Sequence, residues 1–171
     1  MNNTALTRVL LFACAVILLP SGALPAEARE PVQVAEAFIS ALSQRDADGA
    51  LQLLDEKAVL EMPFPLAAGE NKYGTRKMWG APLRTYLNGI MQRNSSIAFK
   101  NKVWYSSSDG VVFLECDGDM VRSSDGQRYQ NSYIVLFKVE KDKIVLWREY
   151  FNPVVAARTF GISLESLPWQ P

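Results

Sequence analysis

The sequence predicts an α+β domain: three N-terminal helices packed on one face of a curved antiparallel sheet. In the first half the apolar residues recur at spacings of three and four, as on an amphipathic helix; from Ile97 onward the period shortens to that of a strand. Turn signals then divide the second half at Ser108-Asp109-Gly110, Ser124-Asp125-Gly126 and Lys141-Asp142, as a meander requires. Helices followed by a run of strands is the order of a fold with its helices segregated to one side of the sheet.

Pro31 stands where a first helical turn tolerates proline, and Val34, Ala35, Phe38, Ala41 and Leu42 follow on one face. Asp46 or Asp48 can cap a second, shorter helix through Ala50, Leu51 and Leu54, and Ala58 to Met62 reads as a short strand. The Pro- and Gly-punctuated stretch from Pro63 to Asn71 is a loop with one large aromatic, Phe64. Leu83, Tyr86, Leu87, Ile90 and Met91 share a face of a third helix over Ala81 to Gln92.

Four long strands follow: Ile97 to Ser106, Gly110 to Val121, Arg128 to Val139 and Lys143 to Phe151. They are apolar on both alternating faces. Ile144, Leu146 and Tyr150 oppose Val145, Trp147 and Phe151, and Tyr133, Val135 and Phe137 oppose Ile134 and Leu136. A sheet with one face in water alternates more cleanly. A second copy of the chain is the simplest cover for the other face, so a homodimer is expected.

The 171 residues suit one domain. Arg8, the apolar run Val9 to Leu19, the break at Pro20-Ser21-Gly22 and the small residues of Ala26-Glu27-Ala28 read as an export signal over residues 1–28, cut before Arg29. The domain then occupies residues 29–171, and a periplasmic or secreted location is expected, with no membrane attachment after cleavage. Loss of Cys14 with the signal leaves Cys116 as the one thiol, expected to be a small buried core residue. Acidic and basic residues balance at 18 each with no basic stripe, which speaks against nucleic acid as a partner. Histidine is absent, so the usual general base, the usual zinc ligand and any histidine-activated nucleophile are missing. No metal and no cofactor are expected; chemistry falls to carboxylates, tyrosines, lysines or the backbone.

Several segments are familiar in order and spacing: Glu61-Met62-Pro63-Phe64 entering the loop, Tyr73-Gly74 before the third helix, and Arg148-Glu149-Tyr150-Phe151-Asn152-Pro153 closing the last strand. The chain resembles the SnoaL-like branch of the nuclear transport factor 2-like superfamily over about residues 30 to 165. Leu114-Glu115-Cys116-Asp117-Gly118, Tyr129-Gln130-Asn131 and Gly161-Ile162 make it most similar to the phenazine-biosynthesis A/B proteins. The resemblance implies a cone-shaped fold with an apolar pocket between sheet and helices, dimerised through the outside of the sheet. It also implies a family that mixes isomerases, polyketide cyclases, dehydratases and epoxide hydrolases with members that catalyse nothing. Glu149 matches the glutamate that works in acid-base chemistry in the phenazine proteins. Their histidine at the start of the third helix has no counterpart in Trp79-Gly80-Ala81-Pro82.

Alternation independently sets Glu149 on the face of Val145, Trp147 and Phe151, where dry surroundings raise a carboxyl's pKa toward general acid or base work. The competing reading is a strand-end ion pair. Glu115 is a candidate second carboxylate. Trp79, Tyr86, Tyr133 and Trp147 are candidates for an aromatic wall against a small apolar or planar molecule, or simply core. Asn131 either orients a ligand carbonyl or satisfies a neighbouring backbone group. Two functions follow: an exported small-molecule-binding domain that works as a cofactor-free isomerase or lyase through Glu149, or a non-catalytic dimeric binding or assembly module.

Overall fold

The computed structural model describes residues 29–66 and 75–166. The export signal, most of the Pro63 to Asn71 loop and Tyr73-Gly74 lie outside the described residues.

A capping box between Glu30 and Gln33, with Pro31 in the first turn, starts α1 (Pro31–Gln44). Helix α2 (Ala47–Leu53) starts where the Asp46 carboxylate accepts from the Gly49 amide at 2.9 Å. Strand β1 (Leu54–Met62) and the short β2 (Arg76–Trp79) precede α3 (Gly80–Arg93). The meander is β3 (Asn94–Ser106), β4 (Val111–Arg122), β5 (Arg128–Glu140) and β6 (Lys143–Phe151). It is followed by α4 (Pro153–Phe160) and a 3-10 turn, Leu164–Ser166.

The class is α+β, with four α-helices and a six-stranded curved sheet among the described residues. Two strands separate α2 from α3 and a fourth helix follows the sheet, so the helices are not all gathered ahead of it. The strand order is β2-β1-β6-β5-β4-β3. All neighbours are antiparallel except β1 and β6, which run parallel, so the sheet is mixed rather than purely antiparallel.

The inner face carries Val112, Leu114 and Cys116 from β4, Tyr133, Val135 and Phe137 from β5, and Trp147 from β6, all buried. Helix α1 packs on it, with the Phe38 ring edge-on to Trp147 at 5.0 Å and to Phe137 at 5.8 Å. Simple alternation along β6 fails at one point. The register steps from Val139↔Ile144 to Lys138↔Leu146, a bulge that absorbs Val145, so Ile144 turns inward with Trp147 and is fully buried. Beyond the bulge alternation holds, and Trp147, Glu149 and Phe151 share the inner face.

The outer face has a polar end and an apolar centre. At the polar end Asp119 is buried beneath Arg128 and Lys100, each with a nitrogen 2.6 Å from its carboxylate, and these two bonds hold its pKa well below the usual range. At the centre Tyr105 is 55%, Ile134 50% and Phe113 40% exposed. Strand register lays Val103, Glu115 and Ile134 side by side in one row, and Tyr105, Phe113 and Leu136 in the next.

Candidate functional site

Between the inner face of the sheet, α3 and α4 lies a cavity of about 490 Å³. Trp147, Glu149 and Phe151 enter it from β6, Tyr129 and Tyr133 from β5, and Tyr86 from α3. Gly118 makes room for one of them: a Cβ there would stand 2.5 Å from the Tyr133 ring. Tyr133 in turn packs against Phe99 and Phe151, with ring centroids 6.4 and 6.3 Å away.

Glu149 is partly buried on the cavity wall. Among the described residues it has no hydrogen bond and no ion pair, and burial alone pushes its carboxyl up to about 7. The cation next to it in sequence is committed elsewhere. Arg148 points to the outer face, where its Nε lies 2.6 Å from Glu61, and Lys77 reaches the same carboxylate at 2.7 Å. Burial by itself would raise the pKa of Glu61, but bonds and charge from Lys77 and Arg148 outweigh it and hold the group below its ordinary value. Two glutamates on neighbouring strands are thus set to opposite states by where the cations stand.

The phenols around Glu149 stay protonated. Burial first, then the Glu149 charge, raise the pKa of both Tyr86 and Tyr133 far above the ordinary range; burial also raises Tyr129. The Tyr129 and Tyr133 hydroxyls influence one another's titration. Asn131 donates to the Tyr129 hydroxyl at 2.7 Å. Cys116, a buried free thiol on the same face, is pushed up to about 12 by burial and then by Glu149, which keeps it inert.

Tyr86, Tyr133, Trp147 and Glu149 therefore come together around one cavity, and three other candidates do not. Glu115 is exposed on the outer face, because β4 turns Cys116 inward and Glu115 outward, between Val103 and Ile134. Trp79 is 55% exposed at the N-cap of α3, away from the cavity lining. Asn131 is buried but spends its amide on protein: Nδ2 also donates to the Asn152 carbonyl at 2.9 Å, and Oδ1 accepts from the Asn152 amide at 3.0 Å. That clamp fixes the residue whose own side chain caps α4 through the Val154 and Val155 amides. Phe64 packs near Tyr150, 6.3 Å between centroids, while Pro65 and Leu66 reach the cavity. Sequence reasoning missed Tyr129, and it missed Arg76 and Arg93 at the rim.

A family model described as the SnoaL-like domain matches residues 35–147. The chain belongs to the SnoaL-like domain family. The match stops two residues short of Glu149, so the carboxyl rests on the geometry above. The chain is 25% identical over 127 residues to the uncharacterised protein YesE of Bacillus subtilis (strain 168), covering 72% of this chain and 82% of that one. Among solved structures, a candidate isomerase from Bacillus subtilis superposes with a TM-score of 0.66 at 26% identity, over 78% of this chain and 94% of the other. A phenazine biosynthesis-related protein from Pseudomonas aeruginosa gives 0.57 at 16%, over 78% and 91%, which shows a shared fold. A SnoaL-like domain is thus the frame that holds the cavity.

The Glu149 carboxyl makes stability depend on pH. Its folded pKa of about 7 lies above the ordinary 4.5, so between those values the folded chain keeps a proton that the unfolded chain releases. Its neutral form is the stable one, and as pH rises through this window it costs the fold up to about 3 kcal/mol. Glu149→Gln carries no such cost. Its stability advantage over the parent in urea denaturation should therefore be larger at about pH 8 than at about pH 5. An advantage that does not change with pH would count against an unpartnered Glu149.

Proposed function

We propose that this SnoaL-like domain binds a small apolar or planar molecule in the cavity, and that Glu149 takes a proton from it and returns one, giving cofactor-free isomerase or lyase chemistry. The observation that carries this reading is a carboxyl on a cavity wall that makes no ion pair and no hydrogen bond among the described residues, pushed up to about 7 by burial. Near neutral pH such a group is divided between acid and base, the condition in which it serves either step well. As the ligand loses its proton, negative charge builds on an attached oxygen. The protonated Tyr129 and Tyr133 hydroxyls on the cavity lining are the donors available to that oxygen. The isomerase assignment of the structurally similar Bacillus subtilis protein supports the same class of reaction.

Small cyclic ketones and enones in deuterated buffer provide the test. Exchange of an acidic C–H catalysed by the protein should drop about a hundredfold or more in Glu149→Gln. Exchange that survives the substitution would remove Glu149 from the chemistry. Binding without any exchange would leave the chain a non-catalytic binding module.

The exposed Tyr105, Phe113 and Ile134 support a homodimer through the outer face of the sheet. Light scattering on purified protein should give twice the chain mass, and Ile134→Glu should give the monomer. A parent protein that is already monomeric at micromolar concentration removes this proposal.

Export remains part of the same reading, on the strength of the residues before Arg29. Protein recovered from the envelope or the medium should begin at Arg29. Full-length protein confined to the cytoplasm would be the contrary result.

A further inference from the structure

The cavity has one acid and several cations on its lining, the acid partly buried and Arg76 and Arg93 exposed at the rim. Arg76, Arg93 and Arg122 line it, and Glu149 is the one acidic residue among the described lining residues. Arg122 is neutralised by Asp125, with Nε 2.8 Å from the carboxylate. The other buried acids take up Lys77 and Arg148 at Glu61, and Lys100 and Arg128 at Asp119. Arg76 and Arg93 are different. Neither guanidinium makes a hydrogen bond or ion pair among the described residues, so two planar sets of donors stand unused at one cavity.

Their placement follows from the local fold. Arg76 opens β2 and shares a face with Met78, which is buried in the core, while Lys77 between them turns outward to Glu61. Arg93 ends α3 and folds back along the helix over Gly89, where a Cβ would stand 2.5 Å from its Nη1. Glycine inside a helix is destabilising, and its presence there leaves the space that the guanidinium occupies.

Tyr86 shares the lining with both kinds of charge: its phenol feels Glu149, Arg76 and Arg93, whereas burial alone acts on Glu149. A ligand that enters past the exposed arginines and reaches the partly buried carboxyl has Tyr86 on its wall and its outer end among the guanidinium groups. A fork of N–H donors selects a carboxylate over a neutral group of the same shape.

We propose that the cavity takes an organic acid, its carboxylate held between Arg76 and Arg93 at the mouth and its apolar body extending past Tyr86 to Glu149. This rests on the reading of the cavity as a ligand site. It narrows that reading from any apolar molecule to one with an anionic end.

The test uses a matched pair, naphthaleneacetate and naphthaleneacetamide, titrated into purified protein by calorimetry. The acid should bind at least about tenfold more tightly than the amide. In the double variant Arg76→Gln, Arg93→Gln the two affinities should converge, and continued binding of the amide shows that the cavity is intact. Gly89→Ala should weaken the acid alone while thermal stability holds or rises, since it strengthens the helix and displaces Arg93. Equal binding of both compounds by the parent overturns the proposal and leaves the cavity reading standing, as does a preference for the acid that survives the double variant. Failure of both compounds to bind overturns the two together.

Discussion

The alternation of side chains along β6 governs this site. Trp147, Arg148 and Glu149 are consecutive, so the cation and the carboxyl must leave the strand on opposite faces. On the outer face Arg148 meets Glu61 across the parallel β1–β6 pair, with Lys77 from β2 completing the group. On the inner face Glu149 is left against aromatic rings. A shift of one residue in register would exchange the two, bringing a guanidinium into the cavity and a carboxylate out to Lys77. The parallel pairing of β1 with β6 supplies the acid that pairs with Arg148 on the outer face.

Much of this was readable in the chain because it depends on period. The four long strands, the three earlier helices and the facing of Glu149 with Trp147 and Phe151 all follow from spacings of two or of three and four. Where the reading failed, the residues concerned had no period to declare. Strand β2 and helix α4 are short, and only Asn152-Pro153 and Gly161 mark the ends of α4. The bulge at Val145 is invisible in a run as uniformly apolar as Ile144 to Trp147. Glu115 sits in a strand with apolar neighbours on both faces, so composition could not say which face is the interior. Asn131 stands out in the sequence as a polar residue entering an apolar strand, but its partner, the Asn152 backbone rather than a ligand, lies across the sheet and cannot be named from spacing.

Arginines illustrate the remaining gap. Arg76 and Arg93 look like ordinary surface residues in the chain, seventeen positions apart on a strand and a helix. Their significance comes from the two acids, Glu61 and Asp119, that occupy other cations and leave these two without partners among the described residues. A property defined by what remains after pairing cannot be read locally, because every pair must be known before the remainder appears.

Gly118 has a consequence of another kind. The Tyr133 ring lies where a side chain at position 118 would stand, so the back wall of the cavity is set by an atom that is missing. Any larger residue there must swing the ring forward into the space a ligand would fill. Related chains can thus alter the depth of the chamber by one substitution on a neighbouring strand, leaving the carboxyl and the rim arginines in place but moving one of the phenols. Depth of the chamber and placement of that hydroxyl are therefore tied together on this fold.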